Sequence, residues 1–440
     1  MKKILLLSLL IIAGWDINAQ EKEPLNFEKA VEIGLERNFD VKIAINEVVL
    51  SENEVKINRS LLYPTLNVQN ARGYRREDTE QALFSEPNNP RIIEGAQTRT
   101  NNYSLISFYG FSADLVVAIQ RLGKLAEVTE LESKVVIENT VAAIATNYYR
   151  LVLELQRYNV LNTTLELSNQ RLEIAKAQYE FGRASKRDFL AAQVDYNTDR
   201  TALVFQEQVI QNSRVNLNEL LAVDPDVDFL VNDTITIREN LRLEDLKEDA
   251  FGNNKQLLVT QGLQNVAYLQ MKELRAQRLP TITLSGAYND NTFRSDAGFL
   301  ASNQQQGINL GATISLNLFN GFSLNRRIQA AKIQMNNQQY LLDQYEIQML
   351  SALQRTFNTY ENSKRLLEIE RINYEVAVES SDITLDRFRL GITNYLEFRD
   401  AQVSRLQAES RLIESLYTIK ENEIELMRLS GKIYFANMGM

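Results

Sequence analysis

The chain has 440 residues, a formal charge of −9 and neither cysteine nor histidine. This excludes disulfides, thiolate nucleophiles, histidine bases and the usual zinc or copper sites. With no long basic run to neutralise phosphates, nucleic acid is excluded as a partner. No enzyme activity and no cofactor are expected.

The N-terminus reads as an export signal over residues 1–19. Lys2 and Lys3 precede the apolar run Ile4 to Ala13, and Ile17-Asn18-Ala19 offers a small residue for cleavage before Gln20. A run of ~10 residues is too short to span a bilayer, which takes ~20. No other segment approaches that length, and no cysteine follows to carry a lipid. Any membrane contact of the remaining chain must therefore be made through strands.

The chain is written twice, as repeat one over 25–222 and repeat two over 241–431. Leu25-Asn26-Phe27-Glu28-Lys29-Ala30 answers to Leu241-Arg242-Leu243-Glu244-Asp245-Leu246. An offset of 216 residues separates both Asn38 from Asn254 and Pro64 from Pro280. Phe108-Tyr109-Gly110-Phe111-Ser112 lies 211 residues before Phe319-Asn320-Gly321-Phe322-Ser323. Tyr179-Glu180-Phe181-Gly182 lies 209 before Phe388-Arg389-Leu390-Gly391, and Phe189/Phe398 and Gln193/Gln402 keep that spacing. Four landmarks in one order, with offsets shrinking by small loop deletions, mark a duplication.

Each copy opens with a helix, over 25–63 and 241–279. Pro64 and Pro280 end it, since proline lacks the N–H and disfavours the α conformation before it. Strands follow within 65–111 and 281–322. In the first copy they run from about Thr65 to Arg75 and from Asn101 to Tyr109, around a polar loop Glu77 to Thr98. In the second they run from Thr281 to Asn289 and Gly307 to Phe319, around Asp290 to Gln306. The clearest alternation is Ile308, Leu310, Ala312, Ile314, Leu316 and Leu318 against Asn309, Gly311, Thr313, Ser315 and Asn317. A period of two puts one apolar and one polar face on a strand.

Long helices come next, over 112–221 and 323–430 with a turn in each. Ser112 to Phe181 and Ser323 to Leu390 are each about 70 residues, or roughly 105 Å at 1.5 Å per residue. Val128, Leu131, Val135, Ala142, Ala145, Tyr149, Val152 and Leu155 form a narrow seam with a charged exterior, as in coiled coils. No proline lies in these helices, and Gly123 is their one weak point. The returning helices cover Lys186 to Leu221 and Tyr395 to Ser430.

Four strands of about ten residues cannot close a barrel, for which about eight strands is the practical minimum. In lipid an open edge leaves N–H and C=O groups unpaired, so other copies must complete the wall. Tyr74, Phe108, Tyr109, Phe111, Tyr288, Phe319 and Phe322 are candidates for an interfacial girdle or for core packing.

The duplicated Leu-x-Phe/Leu-Glu-x-Ala pattern with its later Asn, the proline-opened strands, Ser315-Leu316-Asn317-Leu318-Phe319-Asn320-Gly321 and the Gly turn followed by a carboxylate resemble the TolC-type outer-membrane efflux family, the outer membrane factors. The resemblance spans Leu25 to Gly431. It implies a mostly α protein with a transmembrane β part: three chains sharing a 12-stranded β-barrel, four strands each, continued by a long helical tunnel in the periplasm. It implies an equatorial belt from residues 222–240 and 432–440. The implied function is a passive exit duct of a tripartite efflux or type I secretion system in the cell outer membrane. The implied partners are outer-membrane lipid, two sister chains, a periplasmic adaptor (membrane fusion protein) and an inner-membrane transporter that supplies the energy. A secreted or cytoplasmic coiled-coil scaffold is the alternative. A carboxylate hydrolase would need paired acids in a cleft, whereas the acids here sit on helix faces.

The resemblance also places the turns Gly182-Arg183-Ala184-Ser185 and Gly391-Ile392-Thr393-Asn394 at the tunnel entrance, where adaptors dock. Ser185 with Asp188, and Asn394 with Glu397, each fit a capping box. Asp400 lies a turn beyond capping reach on the face of Glu397, where similar proteins ring the closed entrance with carboxylates. A salt bridge from Asp400 to Arg387 or Arg399 is the competing expectation. Thr393 stands where the family's gate arginine falls, so Arg183 and Arg187 are the remaining basic candidates.

Overall fold

The computed structural model describes residues 24–238 and 240–433. The signal segment 1–19 and residues 434–440 of the tail lie outside the described residues.

The elements repeat in order. The first copy comprises α1 (Phe27–Arg37), α2 (Phe39–Ser60), β1 (Thr65–Leu83), β2 (Glu86–Phe111), α3 (Ala113–Glu180) and α4 (Lys186–Leu221). The second comprises α5 (Leu243–Asn253), α6 (Lys255–Ala276), β3 (Thr281–Ser295), β4 (Ser302–Ser315), α7 (Ser323–Arg389) and α8 (Tyr395–Leu429). Helix α3 runs unbroken through Gly123.

The opening helix of each copy is two helices, 11 and 22 residues long in both. Asparagine breaks it each time. The Asn38 side chain accepts from the backbone N–H of Asp40 at 2.9 Å and of Val41 at 3.2 Å. Asn254 does the same for Leu257 at 2.8 Å. A side-chain oxygen that satisfies the free donors of a new helix makes the break favourable. The asparagines repeated 216 residues apart are N-caps.

The chain divides into two compact units. One unites residues up to Arg37 with Ala143–Arg238 and Tyr360–Glu423. Its core includes Ile144, Tyr148, Leu151 and Leu153 of α3, all fully buried. The buried face of α3 is therefore wider than the seam expected from sequence. The cause is irregular chain packed on it. Leu25 N–H donates to the Leu230 carbonyl at 2.8 Å, and the Tyr148 hydroxyl bonds Leu25 O at 2.9 Å and the Asp233 carboxylate. The Phe27 ring lies 5.7 Å from Tyr148 and 5.5 Å from Tyr149. Gly34 permits this approach, because a Cβ there would meet Ile144 Cδ1 at 2.2 Å. The stretch after α4 is held by the Asn218 amide, which donates to the carbonyls of Pro225 and Val227 at 3.0 and 2.9 Å.

The other unit unites Asn38–Ala142, Glu239–Thr359 and the chain from Ile424. It holds one four-stranded antiparallel sheet in the order β1-β2-β3-β4. The strands are longer than the alternation implied. Most of the expected loop Glu77 to Thr98 is strand, with register shifts between Glu77 and Thr79 and between Gln81 and Leu83. Asp290 to Ser295 and Ser302 to Gln306 are likewise in the ladder. These stretches are mostly polar, and their few apolar residues, such as Ile92, Ile93 and Phe293, do not alternate, so hydropathy could not separate strand from loop. In the other direction, Leu316 to Phe319 lie beyond the end of β4.

The register sorts the sheet into two faces. On one stand Leu66, Val68, Leu105, Tyr109, Phe111, Ile282, Leu284, Tyr288, Ile308, Leu310 and Ile314. On the other stand Asn67, Gln69, Ser104, Asn102, Ser285, Asn289, Thr313 and Asn309. The apolar face is open in the single chain, with Leu310 84% exposed. Tyr74, Tyr109, Phe111 and Tyr288 share that face, whereas Phe108, opposite Thr65 and Ser285, is on the polar one. Phe319 and Phe322 pack edge to face just before α7. No described helix is long and apolar enough to cross a membrane.

Candidate channel entrance

Two helix hairpins, α3–α4 and α7–α8, carry the expected site residues. Both turns are built alike. Gly182 and Gly391 take φ of +72° and +71°, a conformation that a side chain disfavours. The N–H of Gly182 bonds Tyr179 O at 3.0 Å and that of Arg183 bonds Gln178 O at 2.7 Å. Gly391 to Phe388 at 3.0 Å and Ile392 to Arg387 at 2.9 Å repeat the pattern. These are paired Schellman closures that satisfy the last carbonyls of the descending helix. A stacked aromatic pair braces each hairpin: Tyr179 with Phe189 at 5.9 Å, and Phe388 with Phe398 at 5.6 Å.

The two returning helices begin differently. At Ser185 the capping box is complete: its hydroxyl accepts from Asp188 N–H at 3.2 Å, and Asp188 accepts from Ser185 N–H at 3.4 Å. At Asn394 only one half forms, with Glu397 N–H donating to Asn394 Oδ1 at 2.9 Å. The Glu397 carboxylate instead takes the Thr393 hydroxyl and sits 3.8 Å from Arg387.

Arg183, Ala184, Arg187 and Asp188 line one cavity of about 820 Å³ together with Gly391, Thr393 and Asn394. Glu397 and Asp400 are outside it. Asp400 is exposed and, among the described residues, has no ion-pair partner. The expected salt bridge to Arg387 or Arg399 is absent, because Arg387 faces Glu397 and Arg399 faces Asp199 and Asp195.

Beneath the turns lies a polar network that the sequence reading missed. Arg171 of α3 is fully buried. It donates to Asp195 at 2.8 Å and to Gln402 Oε1 at 3.2 Å, and its guanidinium lies 5.0 Å from the Tyr395 ring centre. Tyr395 itself donates to Asp195. Arg399 grips Asp199 with two bonds, and the Ser168 hydroxyl donates to the same carboxylate. Gln402 Nε2 donates to Ser168 Oγ at 2.7 Å and Thr164 O at 2.9 Å. Three helices, α3, α4 and α8, are tied by these side chains. Burial draws the Arg171 pKa down, while burial and the bond to Asp195 push Tyr395 up to about 12. Burial opposes the charge on Arg399, but the bond to Asp199 and the two aspartates outweigh it and raise its pKa.

The network is not duplicated. Moved by the repeat offset, Arg171, Asp195, Asp199 and Arg399 correspond to Ser380, Ser404, Ala408 and Leu190. Asp195/Asp199 at i, i+4 and Tyr395/Arg399/Gln402 at i, i+4, i+7 were the available sequence cue. One sequence shows such stripes on many solvated helices, so the cue did not single them out.

A duplicated pair of helical hairpins joined to a four-stranded sheet with one bare apolar face defines the outer-membrane channel class of fold. The chain belongs to the outer membrane efflux protein family, whose sequence model matches residues 31–223 and 246–432. It is 23% identical to the protein CyaE of Bordetella pertussis over 383 residues, 86% of this chain and 78% of that one. It is 21% identical to the antibiotic efflux pump outer membrane protein ArpC of Pseudomonas putida, over 94% of this chain and 84% of that one. Its fold is similar to the CmeC outer membrane channel of Campylobacter jejuni, with a TM-score of 0.79 at 13% identity, covering 93% and 86% of the two chains. The protein is an outer-membrane efflux-type channel protein.

Proposed function

We propose that three copies of this chain form a passive duct through which an inner-membrane transporter and a periplasmic adaptor deliver cargo across the outer membrane. The observation that carries this is the open sheet. Its order leaves β1 and β4 as edges, and one face carries a broad, exposed apolar band. Unpaired edges in lipid cost several kcal/mol per group, and about eight strands are the least that close. Three sheets of four strands remove every edge, with the Asn, Gln, Ser and Thr face lining a wet lumen. The duct has no energy source of its own; the transporter supplies it. Around the two turns, Phe181 and Ile392 are exposed, as is Leu396 on the first turn of α8. That apolar surface suits docking by an adaptor. The acids Asp188, Glu397 and Asp400, with Arg183, Arg187 and Thr393 nearby, set the charge at the entrance.

The test is extraction and conductance. The chain should leave membranes only with detergent, migrate as a trimer, and open ion currents in planar bilayers. Because the chain has no cysteine, one cysteine introduced on β1 and one scanned along β4 should cross-link between copies only. A stable, detergent-free monomer would support the scaffold alternative instead.

A further inference from the structure

Beyond the apolar band, the lipid-side face of the sheet changes character within two rows. The helices α2, α3, α6 and α7 join the sheet at one end, and both hairpin turns lie at the other. Moving toward the turns along β3, the outward positions read Ile282, Leu284, Gly286, Tyr288, Asp290, Thr292 and Arg294. The neighbouring strands add Tyr103 beside Asp290, Arg72 and Asn101 beside Thr292, and Tyr74 and Arg99 beside Arg294. Tyr288 and Tyr103 thus mark the upper edge of the apolar band, where amphipathic rings settle at headgroup level. Arginines stand one and two rows above Tyr103, roughly 7–13 Å further along the strand at ~3.3 Å per residue.

The arginines are placed against electrostatic preference. Arg99 and Arg294 are directly opposite one another in the ladder, and like charges so placed repel. Arg72 is on the next row one strand over. All three are exposed, and among the described residues none is in an ion pair. On the lumen side, by contrast, Arg75 has Glu77 at 3.7 Å. Arg99 is steadied by the Tyr74 ring at 5.8 Å and by Gln97 at 3.2 Å, which keeps its charge aimed outward. Arg72, Tyr74, Arg99, Asn101, Thr292 and Arg294 line an open recess of about 630 Å³.

We propose that this recess binds the phosphate-bearing headgroup of an outer-leaflet glycolipid. The inference rests on the reading of the sheet as the membrane-crossing part, with its turns outside. Guanidinium forks match phosphate oxygens bidentately, and each basic side chain at a membrane surface adds attraction for anionic lipid. An anion bridging Arg99 and Arg294 removes the repulsion that the bare register imposes. Asn101 and Thr292 add neutral donors for sugar or phosphate oxygens. The acyl chains would then lie along Tyr103, Tyr288, Leu105 and Ile308.

The test uses the full chain assembled in the outer membrane, purified and transferred to phosphatidylcholine nanodiscs. The discs contain either bisphosphorylated lipid A or its fully dephosphorylated form, and retained glycolipid is counted by native mass spectrometry. Retention should favour the phosphorylated form by about tenfold or more. R72Q/R99Q/R294Q should lose that preference, and R72K/R99K/R294K should keep part of it. Equal retention of the two lipids, or an unchanged preference in the glutamine variant, overturns the proposal. Inorganic phosphate at millimolar concentration should not compete; full competition would assign the recess to a soluble anion and overturn the headgroup. Bilayer conductance separates this result from the duct. Normal current without lipid preference refutes the headgroup site alone, whereas an unsubstituted protein that conducts nothing refutes the channel beneath it.

Discussion

Arg399 directs two guanidinium nitrogens onto the Asp199 carboxylate, at 2.8 and 3.0 Å, and leaves its neighbour Asp400 exposed on the other side of α8. The adjacent residues of one helix thus serve opposite purposes. One charge is consumed inside the hairpin pair, and the next is presented to water.

A free carboxylate at a narrow passage attracts cations. Glu397→Ala with Asp400→Ala should weaken block of single-channel current by a trivalent cobalt ammine several-fold. Asp400→Ala alone should account for most of the change, since Glu397 is already engaged by Thr393 and Arg387. Undiminished block in the double variant would show that these acids do not line the passage.

The buried network should be far more sensitive to substitution than the surface pairs. Removing one partner strands the other charge out of water at a cost of about 3–5 kcal/mol. Asp199→Ala removes both carboxylate hydrogen bonds of half-buried Arg399 and leaves it Asp195, at 3.7 Å, as its ion-pair partner. Arg171→Ala takes from Asp195 its 2.8 Å partner, leaving it the Tyr395 hydroxyl and that longer contact. Both should lower the thermal unfolding midpoint and admit protease between α3 and α4. Glu52→Ala, whose pair with Lys56 is exposed, should cost under ~1 kcal/mol. Similar losses at all three positions would mean that the buried charges are not coupled.

The two capping asparagines should differ. Asn38→Ala removes one N-cap, worth about 1 kcal/mol. Asn254 also donates to the Leu429 carbonyl at 2.9 Å and meets the Tyr345 hydroxyl at 3.2 Å. Asn254→Ala should therefore cost about 2 kcal/mol, since a buried acceptor is left unpaired as well. Denaturant unfolding of the two variants in detergent compares them directly, and equal losses would argue against the second role.

Gly182→Ala and Gly391→Ala isolate backbone strain. A Cβ at either position meets nothing within 4 Å, so the penalty comes only from the left-handed backbone, about 1 kcal/mol each. Thermal scans of each variant check this. A midpoint unchanged in both would show that the turns relax freely to another conformation.

Glu138 gives stability a pH dependence. Burial pushes its carboxyl up to about 7, against the attraction of Lys255 and Arg428. The folded chain then keeps a proton that the unfolded chain has released. That contribution is fully present below the ordinary value of 4.5 and disappears as pH rises through about 7. Glu138→Gln should flatten this slope and gain on the order of 1–3 kcal/mol relative to the parent at pH 8. Parallel pH profiles for the two proteins would remove the assignment.

The order of elements, the duplication and most helix boundaries are legible in the amino-acid chain alone. Proline, glycine and hydrophobic period act on neighbouring residues and so are readable in one dimension. Lys186 to Leu221 was expected and found as α4, and Ser323 was the expected and observed start of α7. Asp188 as a capping residue was legible for the same reason, because its partner Ser185 is three residues away.

Features that depend on distant residues meeting emerge only when the chain is folded. Strand ends near Glu77 and Asp290 needed their ladder partners, since no apolar alternation runs on through them. The width of the α3 core needed the chain at Leu25 and Leu230 to pack on it. Asp195 and Arg399, about two hundred residues apart, became one network only when α3, α4 and α8 came together. Arg99 and Arg294 became neighbours only through strand register. Which charges are paired and which are left open is set by burial and proximity, and neither is a property of local sequence.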